Sequence, residues 1–506
     1  GMTPLEFTLL GIPKREYRIE DLVSISAYMS YTFSNAVLQD PLISHIQKNL
    51  GSSYLKDLAL NWPEGDTQIK VSKQHNDTDL ELATFFAEME NVLSRIPPFF
   101  GSNSWVISGS HSKSGKVILA NDPHIGFAAP STWYEAHMKT PDWELYGHHL
   151  AGIPFAILGH NRRMAWGVTM LQNDDLDYFR ERTNPANPDQ VWFRDHWEDL
   201  IIIEETISVK GGEDRPLRVR ISRHGPIIND VLESFEKIES QPVALAWEML
   251  SNFENSTEQV FYELGHSESL EDSRAAASRL HAPGLNINYG DAEGNIAWWA
   301  AARLAIRPAH VNSFIILDGA SGKDEVLGYR DFSENPQSEN PKSGILFNGN
   351  NQPGDTGSGL EPGYYAPEER AHRIGQLLNP VKKNWTADEM KSIQLDTNNP
   401  RIQNFRKHFL TLISENSARS EVFRNAAEVF KNWDGMHDIK AAGPTIFHRL
   451  FYHLSLGIFA DEIEEKGTLV LLNVSLIDKS IPLLLNNPQS PWWDNVDTPD
   501  IRETQA

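Results

Sequence analysis

The sequence predicts an α+β protein, and three observations support this prediction. Apolar residues recur with a helical period ahead of residue 97, strand-like alternation follows in the middle of the chain, and the helical period returns from about Ala387. The chain has 506 residues, of which 40% are hydrophobic and 23% are charged. This composition is ordinary for a folded globular protein and excludes a disordered, collagen-like or coiled-coil chain.

The first hundred residues are predicted to be helical up to a proline pair. The apolar residues with helical spacing are Leu82, Phe85, Phe86, Met89, Val92 and Leu93. Pro97-Pro98 ends this pattern, because proline cannot continue a helix interior. The strand period begins near Gly101-Ser102, and residues 105–110 and 116–120 predict a hairpin around a turn at 112–115.

Further strands are predicted in the middle of the chain, and helices after it. Apolar side chains at 217, 219 and 221 alternate with arginines, and residues 295–300 and 313–317 are also predicted to be strands. The clearest later helix start is Gly443-Pro444-Thr445, because proline suits the first turn of a helix. The middle of the chain is therefore predicted to be mostly sheet and loop.

Charge and composition exclude several classes of function. The chain has 69 acidic and 45 basic residues, and its net charge of −24 repels phosphate backbones, so no nucleic-acid partner is predicted. The absence of cysteine excludes disulfides, thiolate metal sites and a cysteine nucleophile. No apolar run approaches the ~18 residues of a spanning helix, so no membrane span is predicted. No signal-peptide pattern is present in this chain.

Most short catalytic motifs are incomplete in this sequence. Residues 109–116 resemble a phosphate-binding loop, but Val117 replaces the Ser or Thr that would hold magnesium. Ser110 and Lys113 match a Ser-x-x-Lys pair, without the Ser-Asp-Asn and Lys-Thr-Gly motifs that accompany it in hydrolases. An internal Ser-Lys hydrolase stays open as an alternative. There is no Gly-x-Ser-x-Gly elbow and no His-Glu-x-x-His zinc helix.

Ser102 directly follows Gly101 at the change from helix to strand, and short motifs follow it at fixed distances. These motifs are Asn121-Asp122-Pro123-His124, Gly159-His160-Asn161, Ala165-Trp166-Gly167-Val168-Thr169, Arg223-His224-Gly225-Pro226, Gly294-Asn295-Ile296, Asn348-Gly349-Asn350-Asn351 and Asn432-Trp433-Asp434-Gly435. Together they resemble the penicillin amidase (penicillin acylase) family of N-terminal-nucleophile hydrolases. The resemblance extends from about residue 3 to past residue 435.

The resemblance implies a precursor that cuts itself between Gly101 and Ser102. Residues 1–101 would form a mainly helical light chain, and residues 102–506 a heavy chain with the nucleophile and the central sheets. The implied fold is a four-layer αββα sandwich, with two antiparallel sheets between helical layers and additional helical regions. Ser102 is expected at the start of a central strand. A periplasmic or extracellular location is expected from the same resemblance.

The proposed nucleophile needs a base and a site for the oxyanion. An α-amino group has an ordinary pKa of about 7.7–8.0, so it can take a proton near neutral pH. The resemblance implies that Ser102, once it is a chain terminus, uses its own amine through one bridging water. It also implies an oxyanion site formed by the side-chain amide of Asn350 and the backbone N–H of Met170. Arg373 matches a family arginine that helps to position the site near its entrance.

The substrate region also follows from the resemblance. His124 stands where benzylpenicillin-cleaving members have glutamine and where cephalosporin acylases and acyl-homoserine-lactone acylases have histidine. This histidine is expected to orient the α-amine or the bound water; the alternative is a structural role in the hairpin. The acyl pocket is implied to contain Met29 and Phe33, which share one helix face, and Ile125.

The resemblance implies a structural calcium ion. Asp174, the Leu176 carbonyl and Asp177 match its ligands, and Glu361 is expected to compensate for Gln39, which stands where well-known members have a glutamate. Calcium takes six to eight oxygens, and one acidic loop cannot supply them alone. A solvated acidic loop is the alternative, and no organic cofactor is implied.

The predicted function is a self-processing amidohydrolase that cleaves a small N-acyl amide, such as a β-lactam side chain or an acyl-homoserine lactone. Its expected partners are the small amide substrate and the two chains cut from one precursor. One alternative is an unprocessed family member that acts as a binding protein, and the other is the Ser-Lys hydrolase. The polar tail after Trp493 contains no clear closing element, so truncation at both ends is compatible with the sequence.

Overall fold

A computed structural model of the chain describes residue 3 and residues 5–60, 84–89, 99–129, 131–232, 235–251, 257–355, 360–378, 381–415, 420–496 and 498. Within these ranges the protein is mixed α+β, with helices at both ends and strands between them. The predicted helical positions 85, 86 and 89 lie in a helix over 84–89 and are buried. Leu82, Val92, Leu93 and Pro97-Pro98 lie outside the described residues.

The described helices fall into an N-terminal group, a middle group and a C-terminal group. They are α1 (Leu5–Leu10), α2 (Ile19–Phe33), α3 (Ala36–Asn49), α4 (Ser52–Lys56), α5 (84–89), α6 (Phe235–Ile238), α7 (Glu248–Ser251), α8 (Thr257–His266), α9 (Leu270–Ala277), α10 (Glu369–Leu377), α11 (Ala387–Gln394), α12 (Arg401–Glu415), α13 (Glu421–Asn432), α14 (Gly443–Asn473) and α15 (Leu476–Leu485).

The strands occupy the interval between residues 99 and 348. They are β1 (Phe99–Ile107), β2 (Ile118–Ile125), β3 (Trp133–Lys139), β4 (Glu144–Leu150), β5 (Leu158–His160), β6 (Met164–Met170), β7 (Leu176–Arg180), β8 (Thr183–Asn184), β9 (Asn187–Phe193), β10 (His196–Asp199), β11 (Ile201–Ile207), β12 (Arg215–Ile221), β13 (Val243–Trp247), β14 (Leu285–Asp291), β15 (Ile296–Ala301), β16 (Ala305–Ile306), β17 (Leu317–Asp318), β18 (Gly328–Tyr329), β19 (Gln337–Glu339) and β20 (Ile345–Asn348).

Two sheets between helices form the centre of the fold. A seven-stranded antiparallel sheet has the order β19-β15-β14-β6-β5-β4-β3, and a three-stranded antiparallel sheet has the order β2-β1-β20. Helices α8 and α9 share a buried apolar core with the larger sheet, and helices α10 and α11 share another with the smaller sheet. The order helix, sheet, sheet, helix is that of the predicted four-layer sandwich.

Asn121 ties the two sheets together. Its side-chain oxygen accepts a hydrogen bond from Val168 N at 2.9 Å, and its amide nitrogen donates to Val168 O at 3.0 Å and to Asn103 O at 2.9 Å. This close approach needs a residue without a side chain on the facing strand, because a Cβ at Gly167 would lie 2.8 Å from the Asn121 Cβ. The Asn121 side chain thus forms hydrogen bonds with the backbones of β1 and β6, as the backbone of a strand between them would.

The largest apolar core lies among the helices outside the sandwich, where α3, α14 and α15 pack with the sheet of order β13-β7-β17. No single described helix is long and apolar enough to cross a membrane. Helices α14 and α15 together meet the length and composition criterion but are bent by 108° relative to each other, and their side chains contribute to this core.

The secondary-structure predictions agree with the structure at most positions. The hairpin is confirmed as β1 and β2, the alternating arginine segment as β12, and residues 296–300 lie in β15. The predicted strand at 313–317 is wrong except at residue 317. Ile316 N there donates to the Ser44 hydroxyl of α3 at 2.8 Å, so a side chain takes the place of a strand partner.

Candidate active site

Ser102 is a buried residue in the central strand of the smaller sheet. It lies in β1 opposite Pro123 of β2, and only 2% of its surface is exposed. The preceding residue has a backbone conformation that favours glycine, since Gly101 has φ 130°. A Cβ at that position would lie 2.8 Å from the Arg370 guanidinium. A glycine before Ser102 therefore lets Arg370 approach the backbone closely.

Asn350 also holds the Ser102 backbone. It follows β20, is fully buried, and has φ 64°, a left-handed conformation that asparagine tolerates better than most residues. Its Oδ1 accepts hydrogen bonds from Ser102 N at 2.5 Å and from Arg370 Nη2 at 2.9 Å. Its Nδ2 donates to Met170 O at 2.8 Å, which leaves its second hydrogen for another acceptor.

Met170 ends strand β6 beside this amide. It lies opposite Leu285 of β14, and the next residue, Leu171, donates its N–H to Gly284 O at 3.0 Å. Because hydrogen-bonded and non-hydrogen-bonded pairs alternate in an antiparallel ladder, the N–H and C=O of Met170 point away from β14. The C=O accepts from Asn350, so the N–H faces the same side as the Asn350 amide.

Arg370, which sequence reasoning missed, contacts the predicted nucleophile directly. Its Nη1 donates to Ser102 O at 2.7 Å and to Asn103 Oδ1 at 2.8 Å. Burial lowers the pKa of this guanidinium to about 10. Arg373, the predicted residue, lies one turn later on α10 and lines the same cleft, where it forms a bidentate pair with Asp396 at 2.7 and 2.8 Å.

His124 lies beside the predicted cleavage position and has a carboxylate partner. It is opposite Gly101 in the β1–β2 register, and its Nε2 lies 2.8 Å from Asp122 Oδ2. About a third of each side chain is exposed, and both line a cleft that also contains Arg370. Asp122 was not identified from the sequence as a site residue, although it lies in the same Asn-Asp-Pro-His motif. Asp122 and His124 are two residues apart in a strand, so their side chains lie on the same face.

Two cavities of different character meet at β1. The larger is a polar cleft of about 560 Å³ that contains Gly101, Asn103, His124 and Arg370. The smaller is an apolar pocket of about 70 Å³ that reaches Ser102. All three residues predicted for the acyl pocket, Met29, Phe33 and Ile125, line it. The aromatic side chains of Phe99, Trp133 and Phe261 complete its walls.

The acidic side chains predicted to bind calcium are all paired with arginines. Asp174 and Asp177 are both paired with Arg307, whose Nη2 lies 3.4 Å from Asp174 Oδ2 and 2.9 Å from Asp177 Oδ2. Glu361 is paired with Arg330 at 3.1 Å. The Leu176 backbone belongs to β7, paired with β13, and Gln39 is a neutral buried residue of α3.

The expected calcium ligands Asp174, Asp177 and Glu361 are thus already partnered by two guanidinium groups. Among the described residues, no group of three or more histidine or acidic side chains is placed to hold a metal ion. The cation beside this acidic loop is a guanidinium. Burial raises the pKa of the carboxyls of Asp174 and Asp175 to about 7.

The Ser-Lys alternative has no geometric support. Ser110 and Lys113 are both exposed on the turn that joins β1 and β2. The Ser110 hydroxyl lies 2.8 Å from the Ser108 hydroxyl, and in the described part of the chain no hydrogen bond joins Ser110 to Lys113. A serine without a neighbouring base is a poor nucleophile near neutral pH.

Comparison with known proteins gives consistent results. The family model for penicillin amidase matches residues 1–506. The acyl-homoserine lactone acylase QuiP of Pseudomonas aeruginosa is 24% identical over 99% of this chain and 62% of its own length. The penicillin G acylase of Escherichia coli is 26% identical over 68% of this chain and 40% of its own length. The chain thus spans between two fifths and about three fifths of these relatives.

A solved structure supports the fold. A thermostable penicillin G acylase from Alcaligenes faecalis superposes with a TM-score of 0.61 at 22% sequence identity, covering 70% of this chain and 64% of that one. At 22% identity this superposition supports the fold alone, and that fold is the αββα sandwich predicted from the sequence.

Proposed function

Since this chain belongs to the penicillin amidase family, we propose that it hydrolyses the amide bond of a small N-acyl compound, with Ser102 as the nucleophile. The observation that carries this proposal is the set of contacts around Ser102. Asn350 accepts from its nitrogen and Arg370 donates to its carbonyl, at the point where an apolar pocket meets a polar cleft. The relatives are named acylases, which supports the same reaction class.

Activation begins with cleavage of the peptide bond between Gly101 and Ser102. Cleavage turns the Ser102 nitrogen from a peptide N–H into an amine that accepts a proton, with an ordinary pKa of about 7.7–8.0. One water relays the hydroxyl proton to this amine while the oxygen attacks the substrate carbonyl. Asn350 Oδ1, which lies 2.5 Å from this nitrogen, keeps the amine in place.

The reaction then follows acyl transfer. The carbonyl oxygen becomes an oxyanion that accepts hydrogen bonds from the second Asn350 Nδ2 hydrogen and from the Met170 N–H. The Ser102 amine returns its proton to the departing nitrogen, the C–N bond breaks, and an ester remains on Ser102. Water attacks this ester by the same relay, which releases the carboxylic acid and restores Ser102.

The two cavities indicate the kind of substrate. The acyl group lies in the apolar pocket, where burial of Met29, Phe33 and Ile125 against it supplies binding energy. The amine portion extends into the polar cleft beside His124 and Asp122. Acyl-homoserine lactones and penicillins, which are named in the relatives' descriptions, both have an acyl group on one side of an amide and a polar ring on the other.

The test combines mass spectrometry with an activity assay. We expect purified protein to separate into fragments of residues 1–101 and 102–506, and to release amine from N-acyl substrates graded by acyl length. Ser102→Ala is expected to stay uncut and inactive, whereas Ser110→Ala is expected to be cut and active. Turnover by an uncut chain would contradict the proposal, and an uncut chain that binds amides without turnover would be the binding protein instead.

A further inference from the structure

A buried acidic cluster lies next to the active-site layers and contains one guanidinium. Its carboxyl groups come from Asp40 on α3, from Asp174 in the loop before β7, and from Asp177 at the start of that strand. Tyr364 links the first two, donating to Asp40 Oδ1 at 2.8 Å with Asp174 Oδ1 3.5 Å away. Carboxylates buried in this way need a positive charge nearby, because isolated buried charges are strongly destabilising.

Arg307 supplies that charge. Its Nη2 donates to Asp177 Oδ2 at 2.9 Å and to the Asp174 carbonyl at 3.2 Å, and lies 3.4 Å from Asp174 Oδ2. Its Nε adds a contact to Asp177 Oδ2 at 3.3 Å. Two carboxylates and a main-chain carbonyl are oxygen ligands of the kind that a hard cation binds. Here the Arg307 side chain contacts all three groups.

We propose that the Arg307 guanidinium takes the place of a metal cation in this cluster, so that the chain holds its acidic loop without calcium. A divalent ion at the same oxygens would lie within a few ångströms of the guanidinium, and two positive charges at that distance repel each other. The other acid expected to complete a calcium site, Glu361, is paired separately with Arg330. This inference does not depend on the proposed amidase activity.

The acidic cluster contains residues from both sides of the proposed cut. Asp40 belongs to residues 1–101, whereas Asp174, Asp177 and Arg307 belong to residues 102–506. The cluster therefore joins the two parts of the chain through hydrogen bonds and charge pairs made by the polypeptide itself. A chelator is therefore expected to leave this cluster unchanged, because no metal ion holds it together.

The experiment measures calcium content and thermal unfolding of the full chain. For wild-type protein dialysed against metal-free buffer, we expect no stoichiometric calcium by elemental analysis and the same unfolding midpoint with calcium or with EGTA. Arg307→Ala leaves the carboxylates unpaired, so its midpoint is expected to fall by on the order of 5 °C. Millimolar calcium should then raise the midpoint of this variant, and magnesium should not, because magnesium demands stricter geometry.

A matched control separates this effect from the general loss of an ion pair. Arg220 forms a partly buried pair with Asp230 away from the cluster, with contacts between 2.5 and 3.1 Å. Arg220→Ala is expected to be destabilised without gaining a calcium response. If Arg307→Ala does not fold, Arg307→Lys keeps the charge and is expected to stay insensitive to calcium. One calcium per wild-type chain, a wild-type midpoint that shifts with EGTA, or a folded Arg307→Ala without a calcium response would each overturn the proposal.

Discussion

The side chain of Asn350 contacts Ser102 and Met170 at the same time, with Oδ1 2.5 Å from the Ser102 nitrogen and Nδ2 2.8 Å from the Met170 carbonyl. One amide thus fixes the backbone of the proposed nucleophile relative to the end of the facing strand. Its left-handed backbone, with φ 64°, sets the direction of that amide.

Replacing Asn350 by Ala should lower kcat by about 10²- to 10³-fold, because one oxyanion donor is lost. KM should change little if the donor acts mainly on the transition state. Steady-state kinetics on processed protein measure both values. Asn350→Gly is the matched control, since glycine accepts the positive φ and lacks only the amide. A glycine variant with near wild-type kcat would contradict the oxyanion role.

Replacing Arg370 by Ala should lower kcat/KM by about 10- to 100-fold, which corresponds to the roughly 1.5–3 kcal/mol of a hydrogen bond to a charged group. The reason is the loss of its contacts to Ser102 O, Asn103 and Asn350. Arg373→Ala, one turn away and paired with Asp396, is the control and should lose less. If Arg373→Ala loses more kcat/KM than Arg370→Ala, then Arg373, as predicted from the sequence, positions the site instead of Arg370.

Filling the apolar pocket should shorten the preferred acyl group. Met29→Trp adds volume inside a cavity of only about 70 Å³, so kcat/KM should fall more steeply for long acyl chains than for short ones. Tyr28→Trp, at the preceding position of α2, changes a side chain that is 44% exposed and should leave the chain-length profile unchanged. Kinetics over a graded series of N-acyl substrates measure the profile, and a uniform fall at all lengths would contradict the acyl-pocket assignment.

His224 should make stability depend on alkaline pH. Burial lowers its pKa, but hydrogen bonds to Glu181 and Glu325, each at 2.7 Å, outweigh burial and raise the pKa to about 9. A pKa raised on folding adds stability that is complete below pH ~6.5 and disappears as the pH rises through about 9. Urea unfolding between pH 6 and 10 measures this loss.

The matched variant for this prediction is Glu325→Gln, which removes one of the two carboxylates. Its loss of stability should be displaced to lower pH, because the remaining partner raises the histidine pKa less. The ordinary pKa of a glutamate lies well below this pH range, so Glu325 itself does not titrate there. Identical pH profiles for the two proteins would show that His224 is not responsible.

Local sequence patterns were sufficient to predict the elements whose residues alternate clearly or whose first turn contains a helix-start residue. The β1–β2 hairpin follows from alternation, and the start of α14 from Pro444 in the first turn. Helix α11 begins at Ala387, where the helical period was predicted to return, and the structure adds a capping box in which Thr386 and Glu389 bond each other's backbone N–H. Residues 313–316 show the limit, since this mostly buried segment does not form a strand.

Contacts between distant residues could not be predicted in the same way. Arg370 and Arg373 lie one turn apart, and the rotation of α10 about its own axis decides which of them faces Ser102. Arg307 follows Asp177 by more than a hundred positions, and no spacing rule links an arginine to acids so far away. The family resemblance supplied Asp174 and Asp177 of this cluster, but neither Asp40 nor the arginine that pairs with the acids.

The small apolar pocket is built from both sides of the proposed cut, with α2 and Phe99 before it and Ser102 and β2 after it. If the peptide bond between residues 101 and 102 is cleaved, two polypeptides share the walls of this pocket, whereas Ser102, Asn350 and Met170 all belong to the larger one. Pairing one larger fragment with smaller fragments from different relatives should therefore change the acyl preference in part, through the walls at Met29, Phe33 and Phe99, while the reacting groups stay the same.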